Sequence, residues 1–357
     1  MFAVKHYPHT LDPSELDTYL SRGWYRMGQT IFTTHFLCFG DQFYSTLWIR
    51  QNLENYTFRK SLRKILRKND QQFRCHFGAV ELTDEKELLY QLYRQNFPGV
   101  IAPSLLESLQ DGGETNVYKT VEFSVYDGDK LIALSFFDLG ETSVASILGI
   151  YHPAYTNQSL GFYTMIKEME YAMEQGFKYF YPGYIVPGYQ RFDYKTRIGA
   201  VDYFNMRTGR WLPYAEIRPT DIPLEKIHQK LEEAKAIITE SGVEAAIRYY
   251  PLFEANLFGY WRLPFFDYPL LLECRPGPNR EAYYLIVFDP RTNLFQLLFC
   301  TKYEEVQFYF SDTYADTFDH PRYFLDLLNV DHVIESNPNP APIVQTLLRE
   351  WEDLAQF

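Results

Sequence analysis

The sequence predicts a folded α+β protein of more than one structural unit. Three observations support this: the order of its segments, its composition and its length. Strand-like and helix-like segments occur in blocks rather than in strict alternation, which is the pattern of α+β proteins. Hydrophobic residues make up 46% of the chain and charged residues 22%, as in ordinary folded proteins. At 357 residues the chain is long for a single core, so we expect two domains or one domain with a substantial extension.

The N-terminal residues predict a helix followed by two strands. The helix begins near Pro13, takes Asp12 as its N-cap and stops before Gly23. Two strand-like runs follow at residues 29–34 and 43–49. A second helix is then predicted over residues 58–69.

This second helix carries the only dense positive surface that the sequence shows. Its apolar residues share one helical stripe, and its six cations occupy the rest of the surface. These cations are Arg59, Lys60, Arg63, Lys64, Arg67 and Lys68. The formal net charge of −12 argues against a protein coated in nucleic acid, so a local basic patch indicates a localised anionic partner such as an RNA backbone. A solvated helix face balanced by acidic neighbours is the alternative interpretation.

The central part of the chain predicts a hairpin, a third strand, a helix and a further strand. A preceding helix is expected at residues 85–96. The elements are strands 120–126 and 130–138 joined by Asp127–Gly128–Asp129, strand 143–151, helix 160–175 and strand 177–181. This layout is typical of an acetyltransferase-like (GNAT) core, although the order alone leaves several α+β folds open.

The character of the sequence changes near Asp221. A charged amphipathic helix (224–241), a hairpin (283–289 with 294–301) and a final helix (341–354) predict a small α+β module. We therefore expect an N-terminal segment with the basic helix at residues 1–75, a GNAT-like core at 76–218 and a C-terminal module of unknown role at 219–357.

Several functional classes are disfavoured. The sequence contains no GxSxG, HExxH or Walker motif. Its four cysteines (Cys38, Cys75, Cys274 and Cys300) lack the spacing of a zinc site or a disulfide framework, which fits a reducing compartment. No apolar signal segment or membrane-spanning run is visible. We expect a cytoplasmic protein with no metal and no cofactor.

The junction before the helix at residues 160–175 is the most informative motif. Acetyltransferases place Q/R-x-x-G-x-G/A there, so that backbone N–H groups at the helix N-terminus bind the pyrophosphate of coenzyme A. Gln158 and Gly161 match this pattern, but Tyr163 replaces the last small residue, and its ring is expected to occupy the path of the pyrophosphate. This counts against coenzyme A. Gly161 could alternatively be a packing glycine between helix and strand.

Four segments, in the same order, resemble the arginyl- and leucyl-tRNA–protein transferases of the N-degron pathway. The first two are Ser21–Gly28 (SRGWYRMG) with Ile31 and Phe32, and the basic helix at Arg59–Asp70. The third is Glu122–Asp138 with Ser143, Ser146, Tyr151 and Pro153, leading into Ser159–Tyr163. The fourth is Tyr181–Ile185 with Pro187, Gly188, Tyr194 and Lys195. The resemblance covers about residues 15–215. The C-terminal module has no counterpart in it.

The resemblance implies transfer of arginine, or alternatively leucine, from charged tRNA to the N-terminal α-amine of a target protein, which is thereby marked for degradation. The target is expected to begin with an acidic residue, and no membrane or DNA partner is expected. Residues expected at the transfer site are Tyr181, Tyr184, Tyr194 and Lys195, with Asp193 or Glu122 assisting proton removal. Substrate contacts are expected from Arg22, Trp24, Arg26, Ser159, Leu160, Gly161, Tyr163 and Gly183. The six cations of the basic helix would bind the tRNA acceptor stem.

One departure from the family concerns a cysteine cluster that normally follows the RGW segment and is implicated in binding a metal or an iron–sulfur cluster. This sequence keeps only His35 and Cys38 there, which cannot complete a tetrahedral site. The missing cysteines leave open a catalytically silent adaptor that binds tRNA or protein N-termini. A coenzyme A-dependent N-acetyltransferase is the other alternative, and Tyr163 counts against it.

Overall fold

The computed structural model describes residues 1–113, 115–258, 265–275, 282–303, 316–318 and 320–354. The predicted α+β class is confirmed, because an eight-stranded mixed sheet and a five-stranded antiparallel sheet are both packed against helices. No helix in these ranges combines the length and the apolar character needed to cross a membrane.

The N-terminal elements are β1 (Ala3–His6), α1 (Pro13–Ser21), β2 (Tyr25–Met27), β3 (Thr30–Thr34), β4 (Phe36–Phe39), β5 (Gln42–Ser45), β6 (Leu47–Asn52), α2 (Lys60–Gln72) and β7 (Arg74–Ala79). Helix α1 begins as predicted, with Pro13 in its first turn and the N–H of Asp12 donating to Glu15. The strand predicted over residues 43–49 is two strands, because Thr46 leaves the ladder and bonds the carbonyls of Thr34 and His35.

The central elements are α3 (Asp84–Asn96), α4 (Leu105–Gln110), β8 (Thr120–Asp127), β9 (Lys130–Leu139), β10 (Ser143–Tyr151), α5 (Leu160–Glu174), β11 (Tyr179–Ile185), β12 (Asp202–Asn205) and β13 (Arg210–Pro213). Strands β8, β9 and β10 are antiparallel, α5 follows, and β11 returns parallel to β10. This is the GNAT-like layout predicted from the sequence.

The eight-stranded sheet, in the order β13-β12-β6-β11-β10-β9-β8-β7, extends across the boundary expected between residues 75 and 76. Strand β6 pairs with β11 on one side and β12 on the other, while β7 pairs with β8. The apolar side chains of Leu47 and Ile49 are almost fully buried by these neighbours. The N-terminal segment and the central core therefore share one sheet.

The C-terminal module contains α6 (Pro223–Glu240), β14 (Glu244–Tyr249), α7 (Ala255–Phe258), β15 (Leu270–Arg275), β16 (Ala282–Asp289), β17 (Leu294–Tyr303), β18 (Leu327–Asn337) and α8 (Pro340–Leu354). Its five strands are antiparallel, and α6 and α8 pack together on the sheet. Phe2, Phe36 and Phe43 from the N-terminal segment complete its hydrophobic core. The module therefore packs directly on the N-terminal strands.

Candidate functional site

Strands β10 and β11 separate along their length. They pair in parallel only where Ser143–Ala145 face Tyr179–Tyr181. Beyond that point β11 shifts register between Phe180 and Gly183 and continues along β6, whereas β10 continues along β9. The two strands therefore diverge beyond Ala145 and Tyr181, and a cleft opens between them.

The Tyr25 hydroxyl lies at the apex of this cleft. It donates to the carbonyl oxygen of Tyr181 at 2.7 Å and is also within hydrogen-bond distance of the carbonyl of Ser146. Burial raises the pKa of Tyr25 well above its usual value, so the hydroxyl stays protonated. Tyr25 was not among the site residues predicted from the sequence, although it lies within the SRGWYRMG segment.

Lys195 lies on a 3₁₀ helix, Gln190–Ile198, that follows β11. Its Nζ donates to the carbonyl of Tyr184 at 3.0 Å and lies 5.2 Å from the ring centroids of Tyr184 and Phe192. Burial lowers the pKa of Lys195 to about 7. No carboxylate among the described residues pairs with it, so this amine can pair with an anionic group of a ligand.

The other residues predicted for transfer differ in how they face the cleft. Tyr184 is half-buried, edge-on to Trp48 with ring centroids 5.1 Å apart. Tyr181 offers its backbone carbonyl, because its own ring is buried near Trp211. Tyr194 is 40% exposed and Asp193 is also exposed. The structure thus brings Gly183, Tyr184 and Lys195 together and places Tyr194 and Asp193 on the same 3₁₀ helix.

Glu168 is a buried acid near the cleft that sequence reasoning missed. It lies on α5 with 1% exposure, and its Oε2 has no hydrogen-bond partner among the described residues. Burial raises the pKa of Glu168 to about 8, and the nearby hydroxyls of Ser146 and Ser135 offset part of that rise. A signal was available, because helical spacing puts residue 168 on the inward stripe that contains Met165 and Met169.

The structure does not bring Glu122 to this cleft. Its carboxylate forms a buried ion pair with Lys86 of α3 at 2.6 Å and accepts a hydrogen bond from Ser124. Both oxygens therefore already have protein partners, and the role in proton removal expected for Glu122 is not retained.

Arg26 is also occupied by protein partners. Its guanidinium pairs with buried Asp138 at 2.8 Å, donates to Thr120 and lies over the ring of Tyr118. This arrangement joins β2 to β9, so we assign Arg26 a structural role in place of the expected substrate contact. Two other residues of the segment lie near α1: Trp24 is half-buried against His6 and Tyr19, and Arg22 is exposed at the end of the helix.

The start of α5 differs from the prediction at two positions. Ser159 is exposed, with a left-handed φ of 55°, but Leu160 is fully buried and cannot contact a substrate. A Cβ on Gly161 would lie 3.2 Å from the ring of Tyr151, which supports the packing role considered above.

The prediction that the Tyr163 ring occupies the ligand path is wrong. One helical turn beyond Ser159, this side chain points into the core and is fully buried. Its hydroxyl donates to Asp70 at 2.6 Å and lies 3.1 Å from Sγ of Cys75. The ring therefore anchors α5 to α2 and gives no argument against coenzyme A.

The basic helix α2 exposes all six of its cations while Leu62, Leu66 and Asn69 face the core. Within the described ranges none of these cations forms an ion pair, which disfavours the neutralised-surface interpretation. The Asn69 amide donates to the carbonyl of Gln158 at 3.3 Å. This contact and the bond from Tyr163 to Asp70 fix the basic surface next to the start of α5.

The residues left at the family's cysteine cluster do not fit a metal or an iron–sulfur cluster. Burial lowers the pKa of His35 to about 3, with Arg291 adding to the effect, and the thiol of Cys38 donates to the carbonyl of Gly40. In the part of the chain that the structure describes, no group of three or more His, Cys, Asp or Glu side chains could hold a metal ion.

Comparisons with known proteins agree with the resemblance seen in the sequence. The family model "Arginine-tRNA-protein transferase, C terminus" matches residues 84–205. An aspartate/glutamate leucyltransferase from Leptospira interrogans is 29% identical over 195 residues, which cover 53% of this chain and 74% of that protein. The corresponding protein of Helicobacter hepaticus is 24% identical over 186 residues, or 50% and 74% of the two chains. The matched segment of the chain is therefore similar to the aminoacyl-tRNA–protein transferases.

Solved structures resemble this chain only remotely. The C-terminal domain of a putative lysylphosphatidylglycerol synthetase from Agrobacterium fabrum gives a TM-score of 0.30 at 15% identity, covering 39% of this chain and 48% of that one. The ribosomal-protein-S18-alanine N-acetyltransferase of Escherichia coli gives 0.21 at 16% identity, covering 29% and 62%. The fold assignment rests on the strand order described above.

Proposed function

We propose that this transferase moves arginine, or leucine, from charged tRNA to the N-terminal α-amine of a target protein and so marks that protein for degradation. The observation that carries the proposal is the cleft between β10 and β11. The amine of Lys195 lies at one side of it and the exposed cations of α2 lie beyond the start of α5, and among the described residues none of these cations has a carboxylate partner. The cleft would hold the aminoacyl ester between a protein substrate and a tRNA.

The reaction makes modest demands on acid–base chemistry. The α-amine attacks the ester carbonyl, an amide bond forms, and the ester C–O bond breaks with the terminal ribose hydroxyl of tRNA as the leaving group. That oxygen receives a proton, and the attacking amine loses one. Because an α-amine has a pKa near 8, part of it is neutral at cellular pH. Positioning the two substrates is therefore the enzyme's main contribution.

We propose that tRNA approaches along α2. Arg63, Lys64 and Arg67 are exposed cations on an acidic protein, and phosphate groups are the natural partners of such a surface. The acceptor end would then reach exposed Ser159 and partly exposed Gly161 at the start of α5, where a helix N-terminus favours anions.

On the opposite side, Lys195 would bind the acidic side chain of the target's N-terminal residue. Its amine lacks a carboxylate partner among the described residues, and the rings of Tyr184 and Phe192 shield it from water. An ion pair formed in such a partly dehydrated place is stronger than one at the surface. An acidic target would therefore be preferred over its amide counterpart.

The choice between arginine and leucine is open to direct test. Glu168 supports arginine, because a cationic group beside it would favour loss of the proton that burial retains and would then pair with the carboxylate, whereas an isobutyl group would not. The names of the curated relatives favour leucine. An assay with each charged tRNA, labelled in the amino acid, decides between them.

We also propose a cytoplasmic location, where charged tRNA is made.

The decisive experiment measures tRNA-dependent attachment of labelled arginine or leucine to a peptide that begins with Asp or Glu. A triple charge reversal, Arg63→Glu, Lys64→Glu and Arg67→Glu, should abolish transfer while thermal unfolding stays cooperative. Binding of charged tRNA without transfer would indicate an adaptor. A melting temperature of the protein that is raised by coenzyme A and not by tRNA would indicate an acetyltransferase. Either outcome refutes the proposed function.

A further inference from the structure

A groove of about 610 Å³ lies between the C-terminal module and the core. One wall comes from β5 and the turn after β11, including Tyr44, Pro187 and Gly188. The other wall comes from the start of α6, including Leu224 and Gln229. The volume is within the range of roughly 300–1,000 Å³ found for ligand-binding pockets. The family model ends at residue 205, so α6 lies outside the matched region.

The groove is connected to Lys195 by a continuous row of aromatic side chains. Tyr44, which lines the groove, has its ring centroid 5.5 Å from that of Tyr189. The ring of Tyr189 is 5.9 Å from that of Phe192, and the amine of Lys195 is 5.2 Å from Phe192. The distance from Lys195 to Tyr44 is thus at most about 17 Å, which about five extended residues can span.

The charge of the groove disfavours RNA as its occupant. Of the twelve described residues that line it, none is Lys or Arg, and Glu225 adds a negative charge. Phosphates would be repelled there, whereas the cations of α2 attract them. The mixture of aromatic, aliphatic and hydrogen-bonding groups, such as Phe43, Ser45 and Thr220, suits a polypeptide with uncharged side chains.

We propose that this groove binds the polypeptide segment that follows the target's N-terminal residue, so that the C-terminal module acts as a second recognition surface for protein substrates. The inference rests on the proposed function, because it takes Lys195 as the position of the first target residue. It gives the module a role in target selection: uncharged residues soon after the N-terminus are favoured, and acidic ones are repelled by Glu225.

The test compares two acceptors that share N-terminal Glu: the dipeptide amide Glu-Ala and a decapeptide whose other residues are uncharged. The dipeptide cannot reach the groove, so the decapeptide should have a KM about tenfold lower, a difference of about 1.4 kcal/mol. Replacing exposed Gln229 with Trp should fill the groove. The Gln229→Trp variant should raise the decapeptide KM toward that of the dipeptide and leave kcat/KM for the dipeptide unchanged.

The matched control is Ala236→Trp, which places the same ring on an exposed part of α6 outside the groove and should change neither KM. Equal KM values for the two acceptors in the unaltered protein would overturn the inference, as would a Gln229→Trp variant that affects both acceptors alike. Failure of both acceptors with either charged tRNA would instead refute the proposed function. Direct binding of the decapeptide, compared between the two Trp variants, would then decide the inference by itself.

Discussion

The amine of Lys195 lies directly over Gly183: a Cβ built on Gly183 would be 3.1 Å from Nζ. Gly183 also has a φ of 93°, a backbone conformation that residues other than glycine rarely adopt. One glycine therefore allows both the turn of β11 after its register shift and the close approach of the lysine. A Cβ at this position would force the amine of Lys195 to shift and would strain the backbone of β11.

We expect Gly183→Ala to lower kcat/KM for an acidic acceptor peptide at least tenfold, because the added methyl group moves Lys195. The control is Gly209→Ala, which also imposes strain at a positive φ of 64° but meets no atom within 4 Å. Similar losses of stability in both variants, with activity lost only in Gly183→Ala, would assign the effect to Lys195. Equal activity in the two variants would contradict a role for the position of Lys195 in transfer.

The lowered pKa of Lys195 predicts a pH dependence for target binding. Pairing with a carboxylate requires the charged amine, which in the free protein is lost as pH rises through about 7. The affinity for an N-terminal Glu peptide should fall about tenfold per pH unit above 7, relative to a matched N-terminal Gln peptide. In Lys195→Met the ratio of the two affinities should be near one at every pH. A ratio that changes equally in both proteins would argue against this role.

Helix α2 places cations against the positive end of its own dipole, with Arg59 at the N-cap and Lys60 at the first position. Lys60→Glu should therefore stabilise the protein by up to about 1 kcal/mol. It should also weaken tRNA binding and lower the salt-dependence slope by about one. The control, Lys119→Glu, changes an exposed lysine elsewhere and should leave tRNA affinity unchanged. Unaltered tRNA binding in Lys60→Glu would remove this residue from the proposed interface.

Glu168 predicts a loss of stability with rising pH. Its folded pKa of about 8 is above the unfolded value, so the folded state holds an extra proton between roughly pH 4.5 and 8. The stabilisation from that proton is complete at low pH and is lost as pH rises through 8. The free energy of unfolding of Glu168→Gln should depend less on pH than that of the wild type. The stability of the variant relative to the wild type should therefore increase from pH 5.5 to 8.5. The exposed Glu174→Gln variant in the same helix should behave as wild type in denaturant titrations.

Local sequence signals were sufficient for most elements of the fold. The hairpin of β8 and β9 follows its Asp-Gly turn, and α1 follows Asp12 and Pro13, because these residues act on their immediate neighbours. The pairing of β6 with β11 could not be seen in this way, since the partners are more than a hundred residues apart and nothing local specifies them. The boundary expected at residue 75 was placed without knowledge of that pairing.

The candidate site was predictable where a residue type alone implies its position. Exposed cations on an amphipathic helix follow from spacing, so the surface of α2 was anticipated. Partners of buried charges were not, because Lys86 meets Glu122 and Asp138 meets Arg26 only through the packed sheet. Tyr163 was misjudged for a related reason: the motif gave its position in the chain but not the direction of its side chain.

The burial of Phe2 has a consequence for how this protein is made. The residue is inaccessible to solvent, its N–H donates to Asp267, and its ring lies 5.0 Å from that of Tyr268. A ribosome adding about 5–20 residues per second needs roughly 15–50 s to travel from one partner to the other. Throughout that interval the first strand has no completed module to enter, so its apolar side chains are available to chaperones and to neighbouring nascent chains.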